Sequence, residues 1–176
     1  MNPPDDDQLR DVLPRLRRFA LSLTQDPSNA DDLVQSTMEK AIGRWHDRRA
    51  DGDLRAWLFS ILYRQFIDGQ RRAKRYTRLL QLFTGETSTT ASAEEVVIAR
   101  ATWEAFDRLP AEQRALLMLV TLEGLSYREV SATLNIPMGT VMSRLSRARR
   151  ALRTLDEGES DGAGRQKEQA ALRRLK

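Results

Sequence analysis

Ser143, Arg144, Ser146, Arg147, Arg149 and Arg150 fall within eight residues, and from 135 to 155 the chain holds five arginines and no acidic side chain. Guanidinium forks fit phosphate oxygens and the guanine edge bidentately, and serine and threonine hydroxyls hold phosphates. A merely solvated helix face normally mixes signs, so the chemistry indicated is recognition of a polyanion. Covalent chemistry has few groups to draw on. The absence of cysteine excludes disulfides, Cys-based zinc sites and thiol nucleophiles. The single histidine, His46, excludes His-pair metal sites and leaves a Ser-His-Asp triad possible only through itself; it reads as a surface residue. Asp5, Asp6 and Asp7 read as an acidic terminus rather than a metal site. With no Gly-rich phosphate loop, the expectation is a protein that is not an enzyme and uses no cofactor or metal.

Charge is laid out in blocks. Residues 1–43 hold five basic and eight acidic side chains, 44–78 ten and four, 79–134 four and eight, 135–155 five and none, and 156–176 five and five. Two basic blocks separated by acidic ones suit two separate polyanion contacts better than they suit simple solubility. Of 29 basic residues 25 are arginine, an excess that codon bias also produces, so position counts for more than number.

The elements that must position these residues are helical. In 176 residues, with 40% apolar and 31% charged, there is apolar material for one compact domain or two small ones. No apolar run approaches the length of a membrane span, and the N-terminus has no basic-then-apolar leader pattern; the chain is expected to be soluble and cytoplasmic. Leu9, Val12, Leu13, Leu16, Phe19, Ala20 and Leu23 form one stripe at helical spacing, with Pro14 expected in the first turn, because deeper it would break the helix. DPSN at 26–29 reads as a turn with cap residues. Ala30, Leu33, Val34, Thr37, Met38, Ala41 and Ile42 form a second stripe, and Asp53 can cap a third helix with Leu54, Trp57, Leu58, Ile61, Leu62 and Ile67 inward. Gly69 lies late in that helix and a basic run follows.

The small polar segment at 84–93 reads as a flexible linker. Beyond it Val96, Val97, Trp103 and Phe106 begin a second helical half, Leu109-Pro110 interrupts it, and a helix with Leu116, Leu117, Leu119 and Val120 is closed by Gly124. Ser126-Tyr127-Arg128-Glu129 is a capping box, and Val130 and Leu134 point inward from the short helix it opens. Asn135-Ile136-Pro137 forces a turn and Gly139-Thr140 opens a new helix. There Val141, Leu145, Ala148, Leu152 and Leu155 share one face, with Ser143, Ser146, Arg147 and Arg150 roughly opposite and Arg144 and Arg149 flanking. Two short helices joined by a tight turn, the second with a basic outer face, describe a helix-turn-helix whose second helix enters the major groove.

That segment, with the RLPAEQRALLMLVTLEGLSYREVS stretch that runs into it, resembles region 4 of bacterial sigma-70-type factors. ADDLVQSTMEKAIGRW (30–45) resembles region 2.2, and LRAWLFSILYRQFIDGQRR (54–72) resembles regions 2.3 and 2.4, in the expected order and spacing. With regions 1.1 and 3 lacking, the plan is similar to that of extracytoplasmic-function (group 4) sigma factors. The resemblance implies an all-α chain of two small helical domains joined by a flexible linker: a region 2 bundle at 1–83, a linker at 84–95, a region 4 helix-turn-helix at 96–155, and a tail at 156–176 without an assigned role.

The resemblance also implies partners and sites. Asp31, Asp32, Leu33, Gln35 and Met38 would dock on the β′ coiled coil of core RNA polymerase, with the β flap a second contact. Arg48, Arg49, Arg55, Tyr63, Arg64, Arg71 and Arg72 would hold the unpaired strand of the −10 element. Thr140, Ser143, Arg144, Ser146, Arg147, Arg149 and Arg150 would read the −35 duplex. Trp57 shares the apolar stripe and is assigned to packing. An anti-sigma factor would hold the protein inactive. The sequence departs from many relatives at Ser36, often Glu, in the polymerase-docking segment, where that one contact would differ. It departs again at Tyr63-Arg64, often Arg-Asn, and this second departure implies a −10 preference of its own.

Two other readings use the same residues. An ordinary helix-turn-helix regulator would bind palindromic operators without polymerase. A sigma-like protein that titrates a partner would not need the arginine face at 144–150.

Overall fold

A computed structural model describes residues 6–48, 52–84 and 105–153, with side chains of the long third helix described as far as Tyr76. Every described element is helical. Most of the 84–95 segment, Val96, Val97, Trp103, Asp5, Arg49, Leu155 and the 156–176 tail lie outside the described residues.

Helix α1 (Asp6–Thr24) and helix α2 (Pro27–Gly43) form a hairpin. Gln25 takes a left-handed φ of 57° and its amide donates to the Leu21 carbonyl at 2.8 Å. Asp26 then caps α2: its side chain accepts from the Asn29 amide at 2.7 Å, with Pro27 in the first turn. Pro14 is a correction to the sequence reading. It lies well inside α1, not in its first turn. Pro14 and Arg10, whose carbonyl it leaves without a donor, are both exposed, so the freed carbonyl is on the solvent side, where the cost of a proline inside a helix is lowest.

Val12, Leu16, Phe19, Ala20 and Leu23 of α1, Ala30 and Ala41 of α2, and Leu58, Phe59 and Leu62 of helix α3 (Leu54–Thr84) build the first core. Phe19 and Phe59 meet edge to face with ring centres 5.1 Å apart. A polar chain ties α2 to α3. Ser36 Oγ donates to Gln65 Oε1 (2.7 Å), Gln65 Nε2 donates to Thr37 Oγ1 (3.0 Å), and the buried Thr37 hydroxyl donates to the Leu33 carbonyl (2.7 Å). Ile42 is the second correction: it is 67% exposed at the end of α2 instead of completing the stripe. A 3₁₀ turn (Trp45–Asp47) follows, and Trp45 packs edge-on against Trp57 at 5.7 Å, which gives Trp57 the packing role expected of it. His46 is exposed. Asp53 Oδ1 accepts from the Arg55 amide at 2.8 Å, capping α3. That helix runs through Gly69 without interruption.

The second domain starts, among the described residues, with a helical turn at 105–107 and a bend at Leu109-Pro110. Helix α4 (Ala111–Leu117) widens into a π turn (Met118–Leu122), where the Glu123 amide reaches the Met118 carbonyl at 3.1 Å. Gly124, with φ 68°, closes it. The capping box forms as read: the Ser126 amide donates to Glu129 Oε2 at 2.7 Å and the Glu129 amide to Ser126 Oγ at 3.3 Å. Helix α5 (Tyr127–Leu134) ends at Asn135, whose φ of 53° is tolerated by its short polar side chain. Helix α6 follows over 138–153, with Val141, Leu145 and Ala148 buried.

The two domains are docked. α1 packs on α4 and α3 packs on α5, so residues of both contribute to one continuous core. Arg114 of α4, only 5% exposed, donates to the carbonyls of Ser22, Leu23, Asp107 and Leu109. Arg15 pairs with the buried Glu123 at 3.3 Å, and Gln25 Nε2 donates to the Asp107 carbonyl at 2.6 Å. This docking explains why Tyr63, outside the predicted stripe of α3, is buried; Phe59, also outside that stripe, is buried against Phe19 of α1. Among the described residues, no helix is long and apolar enough to cross a membrane.

Candidate nucleic-acid interface

The helix-turn-helix presents its basic face to solvent. Ser143, Ser146, Arg147, Arg149 and Arg150 are exposed on α6, and Thr140 is half-buried at its start. Ser143 Oγ donates to the Thr140 carbonyl at 3.2 Å, and Arg147 Nε to the Ser143 carbonyl at 3.3 Å. Arg149 reaches the Tyr127 hydroxyl at 3.4 Å. Arg144 differs from the others, being ion-paired with Glu112 of α4 at 2.7 Å. The capping box fixes the start of α5. Its hydrogen bonds from Ser126 hold the Glu129 carboxyl below the usual carboxylate range.

The second basic set follows α3. Arg48 stacks over Trp45 at 5.1 Å and donates to the Gly52 carbonyl at 2.9 Å. Arg55 pairs with Asp53 at 3.4 Å. Arg64, Arg71 and Arg72 are exposed; Arg49 is outside the described residues. At 1.5 Å rise per residue, Arg55 and Arg71 stand about 24 Å apart along the helix. Tyr63 is set apart from these arginines by being 6% exposed. It borders a cleft between α3 and the helix-turn-helix that Arg64, Arg71, Glu112, Asn135 and Arg144 also line. Burial, and then the Glu112 carboxylate, push its phenol above the ordinary tyrosine value.

On α2, Asp31, Asp32 and Gln35 are exposed, while Leu33 and Met38 are half-buried against the core. Arg17 of α1 holds Asp31 through two bonds of 2.7 and 3.2 Å, and this keeps the Asp31 carboxyl below its usual range. Gln35 Nε2 donates to Glu39 Oε1 at 3.0 Å. Ile42 stands one turn beyond Met38 on this helix.

Residues 9–63 match the family model described as the Sigma2 domain of PhyR, and residues 99–152 match that of Sigma-70, region 4. The ECF RNA polymerase sigma factor EcfG of Rhodopseudomonas palustris is 36% identical over 164 residues, covering 86% of this chain and 87% of that protein. The chain belongs to the ECF sigma factors. SigL of Mycobacterium tuberculosis, another ECF RNA polymerase sigma factor, is 37% identical over 155 residues, covering 81% of this chain and 83% of that one. Among solved structures, the sigma factor RpoE of Bartonella quintana, crystallised with the anti-sigma factor NepR, aligns with a TM-score of 0.72 and 32% identity, covering 86% of this chain and 95% of that one.

The activity of this sigma factor is thus alternative-sigma transcription initiation. Its two domains are the sigma region 2 and region 4 folds, both all-helical. Sequence reasoning missed the Arg114 junction between them and the Arg17–Asp31 pair, since arginines on helices normally read as solvated. It also missed the two exposed methionines of α6, Met138 and Met142.

Proposed function

We propose that this sigma factor acts through three surfaces. Thr140, Ser143, Arg144, Ser146, Arg147, Arg149 and Arg150 read the −35 duplex. Arg48, Arg49, Arg55, Tyr63, Arg64, Arg71 and Arg72 hold the unpaired −10 strand, with Tyr63 taking part once the helix-turn-helix has moved off α3. Asp31, Asp32, Leu33, Gln35 and Met38 dock on the polymerase. The observation that carries the reading is the exposed face of α6 with Arg147, Arg149 and Arg150, in a stretch of sequence without acidic residues, behind a formed capping box. The work is recognition without chemistry of the protein's own. Strand opening costs stacking energy, and capture of extruded bases offsets it. Boundaries at 1–83, 84–95 and 96–155 divide the labour, and the 84–95 linker lets both domains engage one promoter with the gain in effective concentration that tethering brings. An anti-sigma factor, the kind of partner seen on RpoE, holds the protein inactive in the cytoplasm.

Run-off transcription with purified core polymerase on a genomic promoter library tests this. Defined start sites that need the protein, preceded by shared −35 and −10 motifs, are expected. Duplex binding without core enzyme and without new starts would instead mark an ordinary helix-turn-helix regulator.

A further inference from the structure

A recognition helix meets base edges with its N-terminal turns, and on α6 those turns offer little of the arginine chemistry that dominates the rest. Gly139 has no side chain, Val141 is buried, Thr140 is half-buried, and Arg144 is turned to Glu112 at 2.7 Å. The Ser143 hydroxyl bonds back to the Thr140 carbonyl. The large side chains that project from this end are Met138, 42% exposed, and Met142, 55% exposed, one turn apart on one ridge. Arg147, Arg149 and Arg150 come later along the helix. In contrast to arginine, a thioether neutralises no phosphate and donates no hydrogen bond. In the major groove the apolar feature open to it is the C5 methyl of thymine. The surrounding surface, with five arginines and no acid from 135 to 155, carries the charge that brings a duplex to this ridge.

We propose that Met142, supported by Met138, is a specificity residue of the −35 readout, closing over the methyl group of a thymine while the arginines behind it hold the backbone. The proposal rests on the α6 reading above and adds an apolar base contact to it. Exposed apolar surface that is unfavourable in the free protein is buried in the complex, and only a methylated base offers the matching surface.

The test uses holoenzyme formed from the full chain and core polymerase, on a promoter mapped by run-off transcription. Each thymine of the −35 element, on either strand, is replaced singly by deoxyuridine, which removes the methyl and nothing else. At one or two positions the replacement should weaken promoter binding about fourfold, the worth of one buried methyl-sized group. Met142→Ala and the near-isosteric Met142→Gln should bind the thymine promoter more weakly and lose the difference between thymine and deoxyuridine. Met142→Leu should keep it. Indifference of the wild-type holoenzyme to every replacement, or an undiminished thymine preference in both Met142→Ala and Met142→Gln, would overturn the proposal while leaving the sigma assignment intact. Failure of the wild type to initiate at all would instead strike at the promoter-reading assignment itself.

Discussion

Arg114 of α4 donates through Nη2 to the carbonyl of Leu23 in the last turn of α1, at 3.0 Å, across the junction of the two domains. The last turn of α1 holds no basic residue of its own, and its terminal carbonyls lack intrahelical donors. A guanidinium 91 residues away in sequence supplies them, with the sign that the C-terminal end of a helix dipole favours. The same group satisfies the Asp107 and Leu109 carbonyls, so the bend before α4 and the end of α1 share one donor. Burial draws its pKa below the ordinary guanidinium value.

Arg114→Ala should therefore lower unfolding stability by about 3 kcal/mol, because it leaves several buried acceptors without a charged donor. Arg114→Lys should recover only part of this, as one ammonium lacks the planar fork. Urea unfolding at neutral pH measures both.

The Arg15–Glu123 pair crosses the same junction, with the Glu123 side chain 1% exposed. Arg15→Glu should lower the melting temperature and expand the molecule in small-angle scattering. Adding Glu123→Arg should restore part of both. Expansion without any recovery in the double variant would show that the pair's charge does not hold the junction.

Leu145 and Arg147 lie two residues apart on α6 and should respond in opposite ways. Leu145→Ala, at a site 1% exposed, should cost about 2–5 kcal/mol. Arg147→Ala, exposed, should stay within about 0.5 kcal/mol of wild type in stability but weaken −35 binding. Thermal melts alongside duplex titrations separate the two.

The capping box sets a pH dependence. The Glu129 carboxyl is held below its usual range by the Ser126 bonds, so its contribution is fully present above the unfolded value of about 4.3. It is lost as pH falls through the lower folded value. Glu129→Gln should be less stable than wild type at pH 7, and the gap should narrow below about pH 4. A gap that stays constant from pH 7 to pH 3 would contradict this.

Local features were legible in the sequence. Asp26, Asp53 and the Ser126–Glu129 box are decided by residues within a turn of each other, and all three caps form where read. The arginine face of α6 was legible because absence of acid over 21 residues is a composition signal needing no tertiary context. Pro14 was not, because whether a proline ends a helix depends on which side its freed carbonyl faces. Ile42 was not, since it stands next to the buried Ala41 and one position on a wheel decides between core and solvent. Phe59 stands next to Leu58 of the stripe and is buried against Phe19 of α1, another single wheel position, whereas Tyr63 required a second face of α3 that is covered only when a domain from the far end of the chain docks on it. The burial of Arg114 was invisible for a related reason: arginine is almost never fully buried, and what buries this one is a helix end in the other domain.

The Arg114 junction also sets the ratio between the affinity that α3 can offer a strand and the affinity that a titration would report. Tyr63 belongs to the proposed −10 surface yet lies under the helix-turn-helix, so strand capture that uses it draws only on molecules whose domains have separated. An observed dissociation constant is the intrinsic one divided by the separated fraction; a fraction of about 1% weakens apparent affinity about a hundredfold. Substitutions around Ser22, Leu23 or Arg114 would then shift promoter occupancy with every nucleic-acid-facing side chain unchanged. A partner that grips both domains at once would silence the protein by stabilising an arrangement the free chain already adopts.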